Sequence, residues 1–468
     1  EEMNKRANSF SEYLQEIGLS KGDTMAILCK NNEQAIAAFF GAAKIGVISV
    51  MVNWRLGKEE LQYILSHSEA KLIVYDEVFQ TTIEDLKKMI PASHYISSST
   101  SPSFSSVWGQ KTREPIYETT GNDPILIMYT SGTTGKPKGA LLSHNNLLAT
   151  SIGLSHTIDW RESDKFLMVA PFFHIGGLAP LITNVHTGAA MILMEDFNPT
   201  AAWKLIESER ITTMMTVPAM LTFLLKTYPA VSADISSLRN ITCGASAVPA
   251  PLILQFREMG IPVQQVYGIT EYAGAVTFWK ETQHPDKYDS MGKPVMHGTL
   301  RIADTDSKET LPNGEIGEII IGGPQVFVGY YKNEEAYMST VIDGEFHTGD
   351  IGYIDEQGFL YVVDRLKDLI ISGGENIYSS ELEQTLAQHP AVADVAVVGM
   401  VNEQWGEVLK AFIVKAKDVE VSVEDIIEFS KEKLASYKAV KEVVFVDQLP
   451  RNAVGKILKQ RLKEMVSI

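Results

Sequence analysis

Short apolar segments alternate with longer polar or amphipathic segments between Thr24 and Gly268, and this alternation constrains the fold more than any other feature. Parallel strands are joined by crossovers that are usually helices, and strands buried on both faces are continuously apolar. The pattern therefore predicts an α/β architecture with extensive parallel sheet. The apolar segments are TMAILC, LIVYD, ILIMYT, KFLMVAP, AAMILM, TTMMTVP, NITCG and VQQVYG.

Two segments near the N-terminus are predicted to be helices of a globular protein. Apolar residues from Met3 to Ile17 recur at spacings of four and three, which is typical of an amphipathic helix, and Gly18 ends it. The longest apolar tract begins at Ala35 and is interrupted by Lys44 and two glycines. It predicts a buried helix followed by a strand rather than a membrane span.

The pattern changes after Gly292, where short strand-like pieces such as EIGEIIIGG and GFLYVVD lie between turn signals. From Arg365 onward, the strand LIIS, a helix with Ser380 and Glu383 at capping-box spacing, and the strands ADVAVVG and KAFIVKA predict a separate small domain. We place the boundary within residues 364–368. This gives a large N-terminal domain over residues 1–364 and a C-terminal domain over residues 365–468.

Composition excludes several classes of function. The chain has 41 Lys and Arg against 58 Asp and Glu, and a net charge of −17 argues against a nucleic-acid partner or a broad anionic-membrane surface. Cys29 and Cys243 are too few for a disulfide framework, so unreactive thiols and a cytoplasmic location are expected. No signal peptide or transmembrane segment is predicted, although the sequence starts at Glu1 rather than Met.

The loop YTSGTTGKPKG, which begins at Tyr129, combines glycines, hydroxyl donors and two lysines. Glycines let backbone amides approach a ligand closely, so these are the ingredients of a phosphate cradle. An isolated glycine-rich loop is more often only a turn. The loop is not a Walker A sequence, because Pro137 follows Lys136 where Ser or Thr is required. A nucleophile elbow at Ser246 also fails, because the final glycine of G-x-S-x-G is missing.

The same loop resembles the signature phosphate loop of the adenylate-forming superfamily, which includes acyl-CoA synthetases, aryl-CoA ligases, luciferases and adenylation domains. Further motifs follow in the family's order: PFFHIGG, YGITE, TGD, DRLKDLIISGGENI and NAVGKI. The resemblance implies parallel sheets flanked by helices and a distorted β-barrel-like part in a large N-terminal domain of several subdomains. It also implies a small, mobile α+β C-terminal domain that carries a catalytic lysine.

The resemblance further implies an AMP-forming acid–thiol ligase that uses ATP, Mg²⁺ and CoA. A carboxylic acid would first form an acyl-adenylate with release of pyrophosphate, and CoA would then displace AMP. Such phosphoryl transfer depends on positioning and charge neutralisation rather than on a protein nucleophile.

By the same resemblance, each motif supplies a group to the nucleotide. Glu271 would hold Mg²⁺, with Thr130 as a second metal contact, and Thr270 would reach the α-phosphate. Tyr267 would pack on the adenine. The other residues expected around the nucleotide are Ser131, Gly132, Thr133, Thr134 and Lys138 at the phosphates, Gly244, Ala245 and Ser246 along the base, and Gly268 beside Tyr267.

The remaining motifs would act at the ribose, the acyl group and the thiol. Asp350 would accept hydrogen bonds from the ribose hydroxyls, with Arg365 as a nearby cation, and Lys456 would bridge the carboxylate and the α-phosphate. Lys367 would be the hinge for domain rotation, with Gly373 and Gly374 beside the pantetheine arm. His174 would gate the acyl pocket, although a histidine beside apolar residues is also typical of a packed core.

The expected acyl pocket is formed by PFFHIGG, residues 244–248 and residues 272–274, which include no arginine for a second carboxylate. This favours an apolar monocarboxylate. The segment NWRL at residues 53–56 and the overall spacing are most similar to those of fatty-acyl and 4-coumarate-type CoA ligases. Between these two classes we expect a medium- or long-chain fatty acid, and hence a role in fatty acid metabolism. An aryl or cinnamic acid–CoA ligase, and an aryl-acid adenylating enzyme that loads a carrier protein, stay open as alternatives. A P-loop NTPase and a noncatalytic nucleotide-binding protein are also open alternatives. Whether the protein forms a homodimer stays open as well.

Overall fold

A computed structural model describes residues 1–98, 103–108, 114–116, 119–130, 136–246, 248–372, 375–402, 405–417, 419–451 and 457–465. Within these ranges the chain forms alternating helices and strands, as the sequence predicts. The helices are α1 (Glu2–Glu16), α2 (Glu33–Lys44), α3 (Lys58–His67), α4 (Gln80–Leu86), α5 (Phe104–Val107), α6 (His144–Thr157), α7 (Ile175–Thr187), α8 (Pro199–Ser208), α9 (Pro218–Val231), α10 (Ala250–Glu258), α11 (Glu334–Met338), α12 (Ser379–Leu386), α13 (Val423–Lys433) and α14 (Lys459–Glu464).

Two seven-stranded sheets contain the apolar segments recognised in the sequence. The first has the order β16-β6-β5-β2-β1-β3-β4, from the strands β1 (Thr24–Leu28), β2 (Ile48–Met51), β3 (Leu72–Tyr75), β4 (His94–Ser97), β5 (Pro124–Thr130), β6 (Lys138–Ser143) and β16 (Gly329–Tyr330). The second has the order β13-β12-β11-β10-β9-β7-β8, from the strands β7 (Lys165–Met168), β8 (Ala190–Leu193), β9 (Thr213–Thr216), β10 (Asn240–Gly244), β11 (Val263–Ile269), β12 (Gly274–Trp279) and β13 (Lys293–Pro294).

Both large sheets are parallel in their interior and antiparallel at one side. In the first sheet β2, β1, β3 and β4 are parallel, and β5 continues them before the antiparallel hairpin to β6. In the second sheet β8, β7, β9, β10 and β11 are parallel and β12 is antiparallel. The carboxyl ends of parallel strands share one edge, which is where ligand sites of open α/β sheets form. The predicted phosphate loop begins at the end of β5. The segment YGITE begins in β11 and ends in the 3₁₀ turn Thr270–Tyr272 that follows it.

Two smaller sheets follow the change in sequence pattern. The third has the order β14-β15-β18-β17 with β19 on β18, from the strands β14 (Thr299–Ala303), β15 (Gly317–Gly322), β17 (Val341–Ile342), β18 (Glu345–Ile354) and β19 (Leu360–Arg365). The fourth has the order β21-β20-β23-β22 with β24 on β23, from the strands β20 (Ile370–Ser372), β21 (Glu375–Ile377), β22 (Val392–Asn402), β23 (Gly406–Lys415) and β24 (Glu442–Phe445).

The chain divides into two compact units, one of residues 1–300 and 321–347 and the other of residues 301–320 and 348–468. The first unit contains both seven-stranded sheets, and the second contains the fourth sheet. Strands β14, β15 and β18 contain the points at which the chain passes from one unit to the other. The boundary at residues 364–368, which we drew from motifs, stays a prediction about the functional domains.

The N-terminus of α12 differs from the sequence-based expectation. The capping box predicted between Ser380 and Glu383 is wrong, because Asp364 accepts hydrogen bonds from the hydroxyl of Ser379 and the amide of Ser380. Glu383 instead accepts from the amide of Val397. A residue before the helix therefore supplies the cap by a tertiary contact, which spacing within the helix could not indicate.

Each unit has its own apolar core. In the first unit, α3 and α4 pack on the first sheet through a cluster that includes Leu61, Ile64 and Ile73. In the second unit, α12 and α13 pack on the fourth sheet through a cluster that includes Leu382, Ile426 and Phe445. Among the described residues, no helix combines the length and apolar character that a membrane crossing needs.

Candidate active site

The strands that flank the predicted phosphate loop form a close antiparallel hairpin. Thr130 at the end of β5 pairs with Lys138 at the start of β6. Tyr129 precedes Thr130 in β5, and its hydroxyl is 2.7 Å from Nδ1 of His67 on α3. Lys136 lies with its ammonium 5.6 Å from the ring centroid of Tyr63, also on α3. Ser131, Gly132, Thr133 and Thr134 lie outside the described residues.

Glu271 lies beside this hairpin although it is far away in the sequence. It belongs to a short 3₁₀ turn, Thr270–Tyr272, that follows β11. Its Oε1 accepts a hydrogen bond from Oγ1 of Thr130 at 3.3 Å. The two residues predicted to bind Mg²⁺ are therefore brought together, and Thr270 is in the same turn, half-buried. Tyr272 ends the turn as a fully buried ring, with its hydroxyl donating to the carbonyl of Gly322 at 2.8 Å.

Sequence reasoning missed Tyr330, which also contacts Glu271. Its hydroxyl donates to Oε1 of Glu271 at 2.9 Å, and the ammonium of Lys138 lies 5.2 Å from its ring centroid. The backbone of Tyr330 pairs with Ala140 in β6. The sequence GYY after an apolar run gives no chemical signal, so only the pairing of β16 with β6 identifies this contact.

The residues predicted along the base lie on adjacent strands. Gly244 ends β10 and pairs with Val266 in β11, directly before Tyr267. A Cβ on Gly244 would lie 2.4 Å from Cγ1 of Val266, which explains the glycine. Ala245 has a left-handed backbone with φ of 69°, and Ser246 after it is exposed. Gly244, Ala245 and Ser246 thus form a sharp turn at the carboxyl end of the sheet, next to Tyr267.

Gly268 lies where the pairing of β11 with β12 is irregular. The register shifts between Tyr267 and Gly268, as in a β-bulge. A Cβ on Gly268 would lie 2.6 Å from the carbonyl oxygen of Gly274. The bulge turns the chain immediately before Thr270 and Glu271, so it helps to set their direction.

His174 is the N-terminal flanking residue of α7 and its ring is largely enclosed. Its Nε2 is buried and has no hydrogen-bond partner among the described residues. Burial, with a smaller effect of the Arg55 guanidinium, lowers the pKa of His174 to about 4. The ring lies 4.4 Å from that of Phe173, and Arg55 stacks over Phe173 and Trp54. A neutral imidazole of this kind cannot serve as a cation near neutral pH.

The second unit contains the predicted ribose site. Asp350 on β18 is directly paired with Arg365 at the end of β19. Nε of Arg365 lies 3.2 Å from Oδ1 of Asp350, whose residue is only 5% exposed. The adjacent Gly349 has φ of 67°, and the hydroxyl of Thr348 accepts from the amide of Asp350 at 3.0 Å. These contacts orient a carboxylate and a cation side by side.

The remaining predicted residues belong to the C-terminal part of the chain. Lys367 is exposed in a 3₁₀ turn, Leu366–Asp368, between β19 and β20. Gly373, Gly374 and Lys456 lie outside the described residues. Their proposed contacts with the thiol and the carboxylate stay predictions.

The comparisons with known proteins identify the family. The AMP-binding enzyme model matches residues 1–331, and the model of the AMP-binding enzyme C-terminal domain matches residues 381–456. The chain belongs to the AMP-binding enzyme family. This membership confirms the predicted adenylate-forming superfamily and its α/β fold with a smaller C-terminal domain.

Relatives of known function match nearly the whole chain of this AMP-binding enzyme. A 2-succinylbenzoate–CoA ligase from Bacillus mycoides is 38% identical over 99% of this chain and 93% of its own. The o-succinylbenzoate CoA synthetase from Bacillus subtilis, solved with ATP and a magnesium ion, is 32% identical, with a TM-score of 0.88 over 98% of this chain and 93% of its own. A fatty acyl CoA synthetase from Mycobacterium tuberculosis is 35% identical, with a TM-score of 0.81 over 99% of this chain and 92% of its own.

This AMP-binding enzyme is thus an AMP-forming acid–thiol ligase that uses ATP, Mg²⁺ and CoA, as predicted. The P-loop NTPase and noncatalytic readings are excluded. In the described residues no group of three or more His, Cys, Asp or Glu could hold a metal ion. A single carboxylate beside a hydroxyl, as at Glu271 and Thr130, nevertheless fits Mg²⁺, which is commonly held by one or two carboxylates together with substrate phosphates.

Proposed function

We propose that this AMP-binding enzyme activates an aromatic carboxylic acid of the 2-succinylbenzoate type and transfers the acyl group to CoA. The relatives carry this proposal: those named for 2-succinylbenzoate match this chain at up to 38% identity over 99% of its length. They favour the aryl-acid alternative over our first expectation of a medium- or long-chain fatty acid. Fatty acid metabolism is accordingly not part of the proposal.

In the first half-reaction, a carboxylate oxygen of the acid attacks the α-phosphorus of ATP. The bond from this phosphorus to pyrophosphate breaks, leaving an acyl-adenylate. Thr130, Ser131, Thr133, Thr134 and Lys138 would hold the phosphates, and Thr270 the α-phosphate. Bound Mg²⁺ would supply positive charge against the phosphate oxygens. Lys456 would neutralise charge between the carboxylate and the α-phosphate, a contribution that depends on positioning.

In the second half-reaction, the CoA thiol loses its proton and its sulfur attacks the acyl carbon. The bond from this carbon to AMP breaks, giving the thioester. We assign the hinge for the change between the two half-reactions to Lys367, with Gly373 and Gly374 near the pantetheine arm. The short turn at Lys367 between two strands is the kind of element-terminal position that absorbs backbone change.

An aromatic acid with a second carboxylate needs a partner that the sequence pattern did not indicate. The structure brings Arg55 beside the PFFHIGG segment, over the ring of Phe173 with a distance of 5.8 Å to the centroid. Burial lowers the pKa of Arg55, but its guanidinium stays charged at neutral pH. A cation and aromatic rings next to the predicted acyl segment are compatible with an aromatic dicarboxylate. These neighbours of the predicted acyl segment support 2-succinylbenzoate as the first candidate substrate.

The test is pyrophosphate exchange into ATP with a panel of acids, followed by mass detection of the CoA thioester. The panel contains 2-succinylbenzoate, benzoate, 4-coumarate, octanoate and palmitate. We expect the highest kcat/KM with 2-succinylbenzoate and a CoA thioester as product. A preference for either fatty acid would restore the first expectation, and an adenylate that no CoA displaces would favour a carrier-protein acceptor.

The proposed lysine role can be tested against a matched lysine in the same part of the chain. Lys456→Ala should reduce adenylation by about 10²-fold or more, because it removes a charge aimed at the reacting atoms. Lys463→Ala on α14 removes a partly exposed lysine and should leave the rate unchanged. Equal rates for both variants would contradict the role assigned to Lys456.

A further inference from the structure

Tyr330 contacts Glu271, although neither half-reaction gives this tyrosine a role. The hydroxyl of Tyr330 donates to Oε1 of Glu271 at 2.9 Å, and Thr130 donates to the same oxygen at 3.3 Å. Among the residues that the structure describes, Oε2 of Glu271 accepts no hydrogen bond. Two donors on one oxygen fix the carboxylate and direct its other oxygen away from both. That is the arrangement expected where a carboxylate must present one oxygen to a metal.

The position of Tyr330 is itself strongly fixed. The residue is buried, and its backbone pairs with Ala140 in β6. Its ring packs edge-on against Phe327 with centroids 4.8 Å apart, and Phe327 packs in turn on Phe346. The amide of Phe327 donates to the backbone carbonyl of Glu271 at 2.9 Å. The segment 327–330 therefore holds Glu271 through both its main chain and its side chain.

Tyr330 also contacts the phosphate hairpin. The ammonium of Lys138 lies 5.2 Å from the centroid of the Tyr330 ring, within the range of a cation–π interaction. One tyrosine thus meets the metal-binding carboxylate with its hydroxyl and a phosphate-binding lysine with its ring. The two interactions use different parts of the side chain, so they can be removed separately.

We propose that Tyr330 is a positioning residue that aligns Glu271 for Mg²⁺ through its hydroxyl and Lys138 for the ATP phosphates through its ring. The proposal deepens the proposed function and rests on the metal-binding role of Glu271 within it. Outer partners of metal ligands orient those ligands, and their loss commonly weakens metal affinity by about 10–100-fold.

The test measures binding of ATP by calorimetry, with Mg²⁺ and in EDTA, without any organic acid, so that no turnover occurs. Tyr330→Phe keeps the ring and removes the hydroxyl. We expect it to weaken Mg²⁺–ATP binding by about tenfold and to leave ATP binding in EDTA unchanged. Tyr330→Leu removes the ring as well, and we expect it to weaken ATP binding in EDTA too. A purely structural role would weaken both forms of binding equally in both variants.

Two controls make the result decisive. The ring of Tyr337 also packs on Phe327, with centroids 5.3 Å apart, and Tyr337→Phe removes its hydroxyl. Among the described residues this hydroxyl makes no hydrogen bond to Glu271. The Tyr337→Phe variant should bind both forms of ATP as the unaltered enzyme does. Glu271→Gln should lose the advantage that Mg²⁺ gives to ATP binding.

The outcomes separate the inference from the proposed function. If Glu271→Gln loses the Mg²⁺ advantage and Tyr330→Phe keeps it, Tyr330 does not position the carboxylate and the inference is overturned. If Glu271→Gln keeps the advantage, the metal role of Glu271 is wrong, and the inference falls with it. If both variants lose it and Tyr337→Phe does not, the inference is supported.

Discussion

The site around Glu271 and the pair formed by Asp350 and Arg365 are built in opposite ways. Glu271 meets Thr130 and Tyr330 across 141 and 59 residues of sequence. Asp350 meets Arg365 through direct register within one antiparallel strand pair. The first arrangement depends on several elements packing correctly, whereas the second depends on one pair of strands. We therefore expect distant changes to affect the first site more than the second.

Among the changes that compare these two regions, the largest effect should come from the ribose site. Asp350→Ala removes the carboxylate that we expect to accept two ribose hydroxyl hydrogen bonds. Each such bond to a charged group contributes about 1.5 kcal/mol or more, so ATP affinity should fall by about 10²-fold. Calorimetric titration with ATP measures this. Because the pair is a local one, the free energy of unfolding should change far less than binding.

Asp350→Asn is the matched variant, since it keeps the size of the side chain and one acceptor oxygen. We expect it to fall between Asp350→Ala and the unaltered enzyme. Unchanged ATP affinity in both variants would remove Asp350 from the site. A large loss of stability would instead show that this region is not a local unit.

Substitutions at two glycines, one in each region, allow the two regions to be compared directly. Gly268→Ala would place a Cβ 2.6 Å from the carbonyl oxygen of Gly274, so the bulge before Glu271 must shift. Overpacking of this kind costs about 1–3 kcal/mol. Gly349→Ala meets no atom within 4 Å but must adopt φ of 67°, which costs about 1 kcal/mol. Urea denaturation of both variants measures the difference.

The two regions should also differ in function. We expect Gly268→Ala to weaken Mg²⁺–ATP binding, because a shifted bulge displaces Thr270 and Glu271. Gly349→Ala should retain most of it, because the pairing of β18 with β19 is unaffected. The comparison fails if Gly349→Ala proves the more damaging substitution in both measurements.

His174 gives a test of the acyl segment through pH. Its pKa of about 4 in the folded protein lies below the unfolded value of about 6.5. Between these values only the unfolded chain binds the proton, so stability falls as pH falls from about 6.5 to 4. The expected loss between pH 7.5 and pH 5 is about 2 kcal/mol from this residue. Urea denaturation at both pH values should show a smaller change for His174→Gln than for the unaltered chain.

Adenylation near neutral pH gives the second measurement on His174. The imidazole of His174 is neutral throughout this range. We therefore expect that the pH profile of adenylation shows no ionisation near pH 6.5 that belongs to His174. An ionisation near 6.5 that disappears in His174→Gln would show that the ring is hydrated and charged in the working enzyme. That would contradict its enclosed position.

Sequence patterns predicted the elements of this fold better than the contacts between them. The apolar segments from TMAILC to VQQVYG became strands because continuous apolar runs are stable only between covered faces of a sheet. Family motifs named Glu271 and Thr130 as neighbours, and the structure brings them together. Tyr330 and Arg55 could not be predicted in the same way. Their surroundings depend on pairing of β16 with β6 and on packing between distant segments, neither of which has a local signal.

The smallest effect is expected at the root of the phosphate loop. The hydroxyl of Tyr129 lies 2.7 Å from Nδ1 of His67, and the His67 ring contacts the rings of Tyr63 and Tyr331. Tyr129→Phe leaves the packing and removes one neutral hydrogen bond, which is worth about 1 kcal/mol. Because Tyr129 precedes Thr130, we expect Tyr129→Phe to raise KM for ATP by about threefold and to leave kcat little altered. Tyr95→Phe, on the edge strand β4 of the same sheet, is the matched control and should leave KM unchanged. Equal KM values in the two variants would mean that the loop ends are held by the β5–β6 hairpin alone, without help from α3.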